Sequence, residues 1–271
     1  MGLLTLLGWR KLGWFIPYRY AGTLPGPGQR QAYPALEDLL RQRQAAFAAL
    51  LDTIDGYGAA LKAIGEEPPP APRWRQSWFP RLDAAAAYGL VRREAPARIV
   101  EVGSGHSTRF LARAVRDGGL DCRITAIDPA PRASLEGLAV SLRRETLAAA
   151  GGEVFASLRS GDMLFIDSSH ILMPGSDVDQ LFGRVLPQLP PGVWVHIHDI
   201  FLPDDYPAAW DWRGYNEQQG VLALLQGGAY DVAFASHYVA TRMAARIAAG
   251  VLAELPLPAE AFEASLWLRK R

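Results

Sequence analysis

The stretch Arg98-Ile-Val-Glu-Val-Gly-Ser-Gly-His-Ser-Thr-Arg109 decides how the rest of the chain is read. Arg98–Val102 is a short β-branched run of the kind that forms a buried parallel strand. Gly103-Ser-Gly105 follows at once, and the next polar residues, Ser107 and Thr108, suit the start of a helix. Glycines at such a bend let the backbone turn sharply and let a ligand approach the main chain. Asp128 lies 25 residues beyond Gly103, at the end of a second strand, Arg123–Ile127. An acid there can accept hydrogen bonds from ribose hydroxyls.

Working outward, strands and helices alternate. Helix is expected over Phe79–Ala95 and Ser107–Arg116, a weaker strand over Val140–Leu147 and a short helix over Gly152–Leu158. Strand Asp162–Ile166, helix Asp177–Leu189, strand Gly192–Ile197, helix Glu217–Gln226 and strand Tyr230–Ala235 follow. A helical excursion over Tyr238–Val251 and a last strand, Ala264–Arg269, complete the pattern. The alternation predicts an α/β fold: a Rossmann-like, doubly wound, mainly parallel seven-stranded sheet with helices on both faces. An N-terminal helical extension precedes it. Residues 1–32 read as an irregular arm with one helical turn, and 34–64 carry apolar residues at three- and four-residue steps, with Gly56 and Gly58 as breaks. Four prolines among residues 68–72 form a stiff connector. The expected division is 1–74 for arm, helix and linker, and 75–271 for the α/β domain.

Composition narrows the function classes. The 271 residues hold 28 Lys+Arg and 28 Asp+Glu, with no net charge. A nucleic-acid partner usually demands a basic surplus, so none is expected. The single cysteine, Cys122, excludes an intrachain disulfide and a cysteine-based zinc site. No apolar run reaches the roughly 18 residues of a membrane span. The start lacks an early positive region and a small-residue cleavage site, which argues against a secretory leader. A cytoplasmic protein with no membrane partner is the expectation. A homodimer stays open, through the helix 34–64.

The bend discriminates between cofactors. A dinucleotide fingerprint wants a third glycine where this chain has Thr108, and Glu101 is poorly placed for an anionic pyrophosphate. Glu101 suits a cation. Val100-Glu-Val-Gly-Ser-Gly105 resembles the first motif of class I S-adenosylmethionine-dependent methyltransferases. That resemblance implies S-adenosylmethionine as cofactor, held by Glu101, Gly103, Ser104, Gly105, His106, Ser107, Asp128 and Asp167, with Asp128 on the ribose.

Open α/β sheets bind ligands beyond the carboxyl ends of their strands. Asp167, His170, His198 and Asp199 all fall there, and make the candidate catalytic set. One reading takes His170 as general base for a hydroxyl acceptor. Another takes Asp167, His198 and Asp199 as ligands of a divalent metal (Mg, Mn, Fe or Zn) that acidifies the hydroxyl. The layout resembles the metal-dependent small-molecule O-methyltransferases, with His198 standing where a carboxylate is expected. Adjacent strand residues point to opposite faces, so His198 and Asp199 can share a site only if the strand has ended. His196 lies deeper and reads as structural. The loop after the fifth strand, with Tyr206, Trp210, Trp212, Tyr215 and Asn216, reads as acceptor cover that stacks on a flat or sugar-like acceptor. Glu217 reads equally as part of that site or as a first-turn helix acid. Arm aromatics Phe15, Tyr18 and Tyr20 either close over the site or anchor the arm. The expected function is methyl transfer to a small-molecule hydroxyl. The alternatives are a metal-dependent hydroxylase or hydrolase on the same scaffold, and a non-catalytic S-adenosylmethionine-binding protein.

Overall fold

A computed structural model describes residues 2–271. Seven strands form one sheet: β1 (Arg98–Val102), β2 (Arg123–Ile127), β3 (Val140–Arg143), β4 (Met163–Ile166), β5 (Trp194–Ile197), β6 (Tyr230–Ala235) and β7 (Leu266–Lys270). Their spatial order is β3-β2-β1-β4-β5-β7-β6. All neighbours pair in parallel except β7, which runs antiparallel to both β5 and β6. β1 sits beside both β2 and β4, and the chain crosses over between them, so the sheet's switch point lies at the carboxyl end of β1. A crevice forms there for topological reasons alone. This is a Rossmann-like, doubly wound, mainly parallel sheet, as the alternation of elements predicts.

The central strands are buried on both faces: every residue of β4 and β5 is inaccessible or nearly so. Among the described residues the α-helices are α1 (Gly2–Leu6), which lies in the exposed arm, α2 (Pro34–Arg41), α3 (Gln44–Gly56), α4 (Gly58–Lys62), α5 (Arg81–Glu94), α6 (His106–Gly118), α7 (Leu147–Ala150), α8 (Glu153–Ala156), α9 (Asp177–Gln180), α10 (Glu217–Gln226), α11 (Ser236–Arg242) and α12 (Ala244–Ala248). α5 is buried almost all round, from Leu82 to Val91, as a helix enclosed by neighbours must be. It packs between α3 and α6, and a Cβ on Gly89 would already press on Ile54 at 3.3 Å. Leu36, Leu40, Phe47, Leu50, Leu51 and Ile54 belong to the same apolar cluster as the sheet. Among the described residues before Leu36, only Tyr33 packs against it; Trp9, Phe15 and Ile16 are exposed.

Two expected helices divide. The 34–64 pattern breaks at Gln42–Arg43, where Arg43 Nε donates to the carbonyl of Val232, and again at Tyr57 between the two glycines. The 177–189 pattern keeps one α-turn, widens to a π-turn over Leu181–Val185 and tightens over Leu186–Gln188. Pro187 lacks the N–H that would have closed a bond to residue 183, which explains the change of register. The strand expected over Val140–Leu147 stops at Arg143. Burial pushes the Cys122 thiol up to about 12, so it is no nucleophile at neutral pH. No helix among the described residues is long and apolar enough to cross a membrane.

Candidate active site

The bend after β1 is held by the tips of β2 and β4. Gly103 N–H donates to the carbonyl of Ile127 (3.0 Å), and Asp167 N–H donates to that of Val102 (2.9 Å). Gly103 has φ +85°, and an added Cβ would fall 1.8 Å from the carbonyl oxygen of Asp167. Only glycine fits. Ser104 donates to Asp128 Oδ2 through both N–H (2.7 Å) and Oγ (3.0 Å), and Ala130 N–H donates to Oδ1 (2.7 Å). Asp128 therefore shapes the bend as well as facing the space beyond it.

That space is a cavity of about 660 Å³ lined by Gly103, Ser104, Asp128, Leu147, Asp167 and Gln180, among others. Trp14 reaches it from the arm, whereas Phe15, Tyr18 and Tyr20 do not line it. A narrower crevice adjoins it, lined by Gly105, His106, Ser107, Asp167, His170 and His198, together with Asp199, Trp78 and Tyr215. Seven of the eight residues expected to hold a cofactor thus face one space or the other. Glu101 lines neither. Its two oxygens accept from Ser107 Oγ and Thr108 Oγ1, both at 2.6 Å, beneath the start of α6. Complete burial pushes this carboxyl up to about 8, against the pull of the two hydroxyls. It acts on the bend from below. His106 Nδ1 is buried without a partner, and burial, then Arg109 and Arg73, lower that imidazole to about 4.

The catalytic candidates meet where the two spaces join. His170 has φ +60° and Asp199 φ +56°, two left-handed non-glycine positions in facing loops. Such strain gathers at functional sites. His170 Nδ1 lies 2.9 Å from Glu217 Oε2, and its Nε2 lies 3.4 Å from Asp167 Oδ1 and 3.5 Å from Asp199 Oδ2. Burial alone would lower this imidazole; Asp167, Glu217 and Asp199 overcome it and raise the ring well above 6.5. Burial opposes ionisation of Asp167 too, yet His198 and His170 bring it down to about 2. Glu217 is fully buried at the first turn of α10, and burial raises its carboxyl despite His170. Its Oε1 has no partner.

β5 ends at Ile197, so the turn at Asp199 brings both His198 and Asp199 to the same side. The expected metal triad of Asp167, His198 and Asp199 nevertheless does not assemble. His198 Nε2 lies 3.0 Å from the carbonyl oxygen of Trp78, an acceptor only, so this nitrogen carries a hydrogen and offers no lone pair. The ring's other nitrogen faces Ser265 Oγ at 3.4 Å. His170 Nε2 occupies the position between the two carboxylates. Among the described residues no group of three or more His, Cys, Asp or Glu side chains is arranged to hold an ion. His196 is structural: its ring stacks on Phe165 (3.6 Å, 14°), Nε2 meets Ser265 Oγ at 2.9 Å, and burial followed by His198 keeps it well below 6.5.

Three participants escaped the sequence reading. Trp78 follows the proline connector, Arg132 follows the Asp128 turn, and Arg213 lies within the aromatic loop; all line the crevice. None carries a local motif. The only signal was Arg213's place among Trp210, Trp212 and Tyr215.

Residues 100–200 match a family described as "Methyltransferase domain". No curated protein sequence matches the chain significantly. Among solved structures, the chain is similar to an O-methyltransferase from Bacillus cereus in complex with SAH, at 15% identity over 82% of this chain and 91% of that one, with a TM-score of 0.42. It is similar to the SAH-bound Podospora anserina methyltransferase PaMTH1, at 18% identity over 96% and 100%, TM-score 0.45. It is also similar to the Streptomyces achromogenes O-methyltransferase TomG, involved in tomaymycin synthesis and in complex with SAM, at 19% identity over 70% and 79%, TM-score 0.41. The family match spans residues 100–200, and these hold the glycine bend at the switch point of the 3-2-1-4-5-7-6 sheet: that part of the chain is similar to a methyltransferase domain.

Proposed function

We propose that this enzyme moves the methyl group of S-adenosylmethionine to a hydroxyl oxygen of a small molecule, with His170 as general base. The observation that carries the proposal is the placement of His170 Nε2 between Asp167 and Asp199, at the junction of cavity and crevice, with Nδ1 fixed by Glu217.

The cavity fits such a cofactor in size, since small-molecule sites run roughly 300–1,000 Å³. It also fits in character: two carboxyl side chains, Asp128 and Asp167, line it, as does Ser168, whose Oγ is buried without a partner. Gly103, Ser104, Asp128 and Asp167 would hold the cofactor, with Gly105, His106 and Ser107 toward the crevice; Glu101 would support them through Ser107 and Thr108. When bound, S-adenosylmethionine supplies a methyl carbon on a cationic sulfur that keeps the electron pair of the breaking C–S bond. His170 Nε2 would take the proton of the acceptor hydroxyl as that oxygen becomes the nucleophile. Glu217 holds the imidazole in the tautomer whose Nε2 is free to accept. Asp199 orients the acceptor, and His198, whose ring nitrogens face Trp78 and Ser265, walls the crevice. Since the donor set does not fit a metal, the hydroxyl is activated by the imidazole. Of residues 1–74, the helical part packs into the core of the domain 75–271, and Trp14 of the exposed arm lies at the cavity.

The test is turnover with an acceptor found by screening hydroxylated metabolites. His170→Ala should lower kcat by about 10²–10⁴ while leaving S-adenosylhomocysteine affinity unchanged. Because the carboxylates raise His170 well above 6.5, the neutral base becomes abundant only on the alkaline side, and kcat should climb with pH there. Activity should survive chelator. An unaltered kcat in His170→Ala, or loss of activity on chelation, overturns the reading.

A further inference from the structure

Beyond Asp199 opens a third cavity, of about 470 Å³, walled by Trp78, Trp210, Trp212, Phe262 and Arg213. It shares Trp78, Asp199 and Arg213 with the crevice, and the crevice shares Ser104, Arg132 and Asp167 with the 660 Å³ cavity. The three spaces therefore run in series, with Asp167, His170 and Asp199 in the middle. A cofactor at one end leaves the other end for the body of the acceptor.

Arg213 is unusual within that end. Its guanidinium carbon stands 3.9 Å from the Trp210 ring centroid, 5.4 Å from Tyr215 and 5.6 Å from Trp212. Nη1 donates to Tyr215 Oη at 3.3 Å. Nε is buried with no hydrogen-bond partner. Arg81, Arg113, Arg242 and Arg246 each hold a carboxylate, whereas Arg213 has none within 4 Å among the described residues. The two acids that share its cavity are spoken for or distant in role: Asp199 faces His170 and His198, and Glu260 is exposed. With Nη1 on Tyr215, a guanidinium fixed by aromatic faces keeps Nη2 and the unpartnered Nε, an edge that matches a carboxylate.

We propose that this cavity binds the acceptor and that Arg213 receives a carboxylate on it, so that the substrate class is a hydroxyl-bearing aromatic carboxylate. The indole and phenyl walls stack on the ring. Arg213 fixes the acidic end, and the hydroxyl then points back toward His170. This rests on the methyl-transfer reading above, and adds to it the charge and shape of the acceptor.

The experiment titrates S-adenosylhomocysteine-saturated protein with 4-hydroxybenzoate and, separately, with its uncharged analogue 4-hydroxybenzamide, following tryptophan fluorescence and heat. The acid should bind at least about tenfold more tightly than the amide, the scale of a hydrogen bond to a charged group. Arg213→Gln should erase that preference and leave S-adenosylhomocysteine affinity within about twofold. Arg213→Lys retains charge but loses the fork, and should weaken the acid while sparing the amide; it serves if Arg213→Gln does not fold. Equal binding of acid and amide, or no binding of the acid by the parent protein, overturns the acceptor assignment. Failure of S-adenosylhomocysteine itself to bind overturns the methyl-transfer reading instead.

Discussion

Glu101 lies fully buried below the glycine bend, with its carboxyl pushed from an ordinary 4.5 to about 8. Between those values the folded chain keeps a proton that the unfolded chain has released, so its contribution to stability falls as pH rises and is lost above about 8. Glu101→Gln keeps the size of the side chain and removes the charge. Relative to the parent, the variant should therefore gain on going from pH 5 to pH 9, by roughly 2–5 kcal/mol, in urea unfolding of the unliganded protein. An unchanged gap would mean that the carboxyl titrates normally. The same residue shows where a sequence stops informing. Its position before the bend was plain, as were those of Gly103, Asp128 and Asp167. Its hydroxyl partners turn it away from the cavity, and that depends on the pitch of α6 relative to β1. His170 and Glu217 are likewise 47 residues apart, and only the packing of α10 makes them a pair.

The loop between β5 and α10 carries Arg213 and half of the aromatic wall, Trp210 and Trp212, and Asp204 fastens it. Asp204 accepts from Arg242 Nη1 (2.7 Å) and Nη2 (2.8 Å) and from His237 Nε2 (2.7 Å), while Gln218 Nε2 donates to its carbonyl (3.3 Å). Arg30 of the arm adds a bond to the adjacent Asp205. Releasing this clamp leaves the cofactor cavity untouched, so Asp204→Ala should raise the acceptor KM by about tenfold with no change in S-adenosylhomocysteine affinity. Faster proteolytic cleavage within 200–216 should accompany it; equal KM would show that the loop holds without the clamp. The strands of this sheet were legible because continuous apolar runs and their Gly or Asp ends are local signals; β6 and α10 match the expected bounds. Helix 34–64 was not, since its apolar period runs on through Arg43 and its interruption comes from a distant strand, β6.

Across the whole molecule, one apolar cluster extends from Leu36 through the sheet to Leu268. Among the described residues the arm before it is mostly exposed; Trp14 meets the cavity, Arg30 meets Asp205, and Tyr33 N–H donates to the carbonyl of Pro203. Removing residues 1–32 should leave cooperative thermal unfolding near that of the full chain and weaken S-adenosylhomocysteine severalfold; a large fall in melting temperature would assign the arm a share in the core. The proline run at 68–72 gives the opposite lesson. It has the composition of a hinge, yet α3 in front of it presses on α5 and on β6 behind it. Shortening the chain to that apparent hinge would strip Phe47, Leu50, Leu51 and Ile54 from their partners and bare a greasy flank beside β6. Such a fragment, however well its glycine bend were preserved, would clump before it could be assayed.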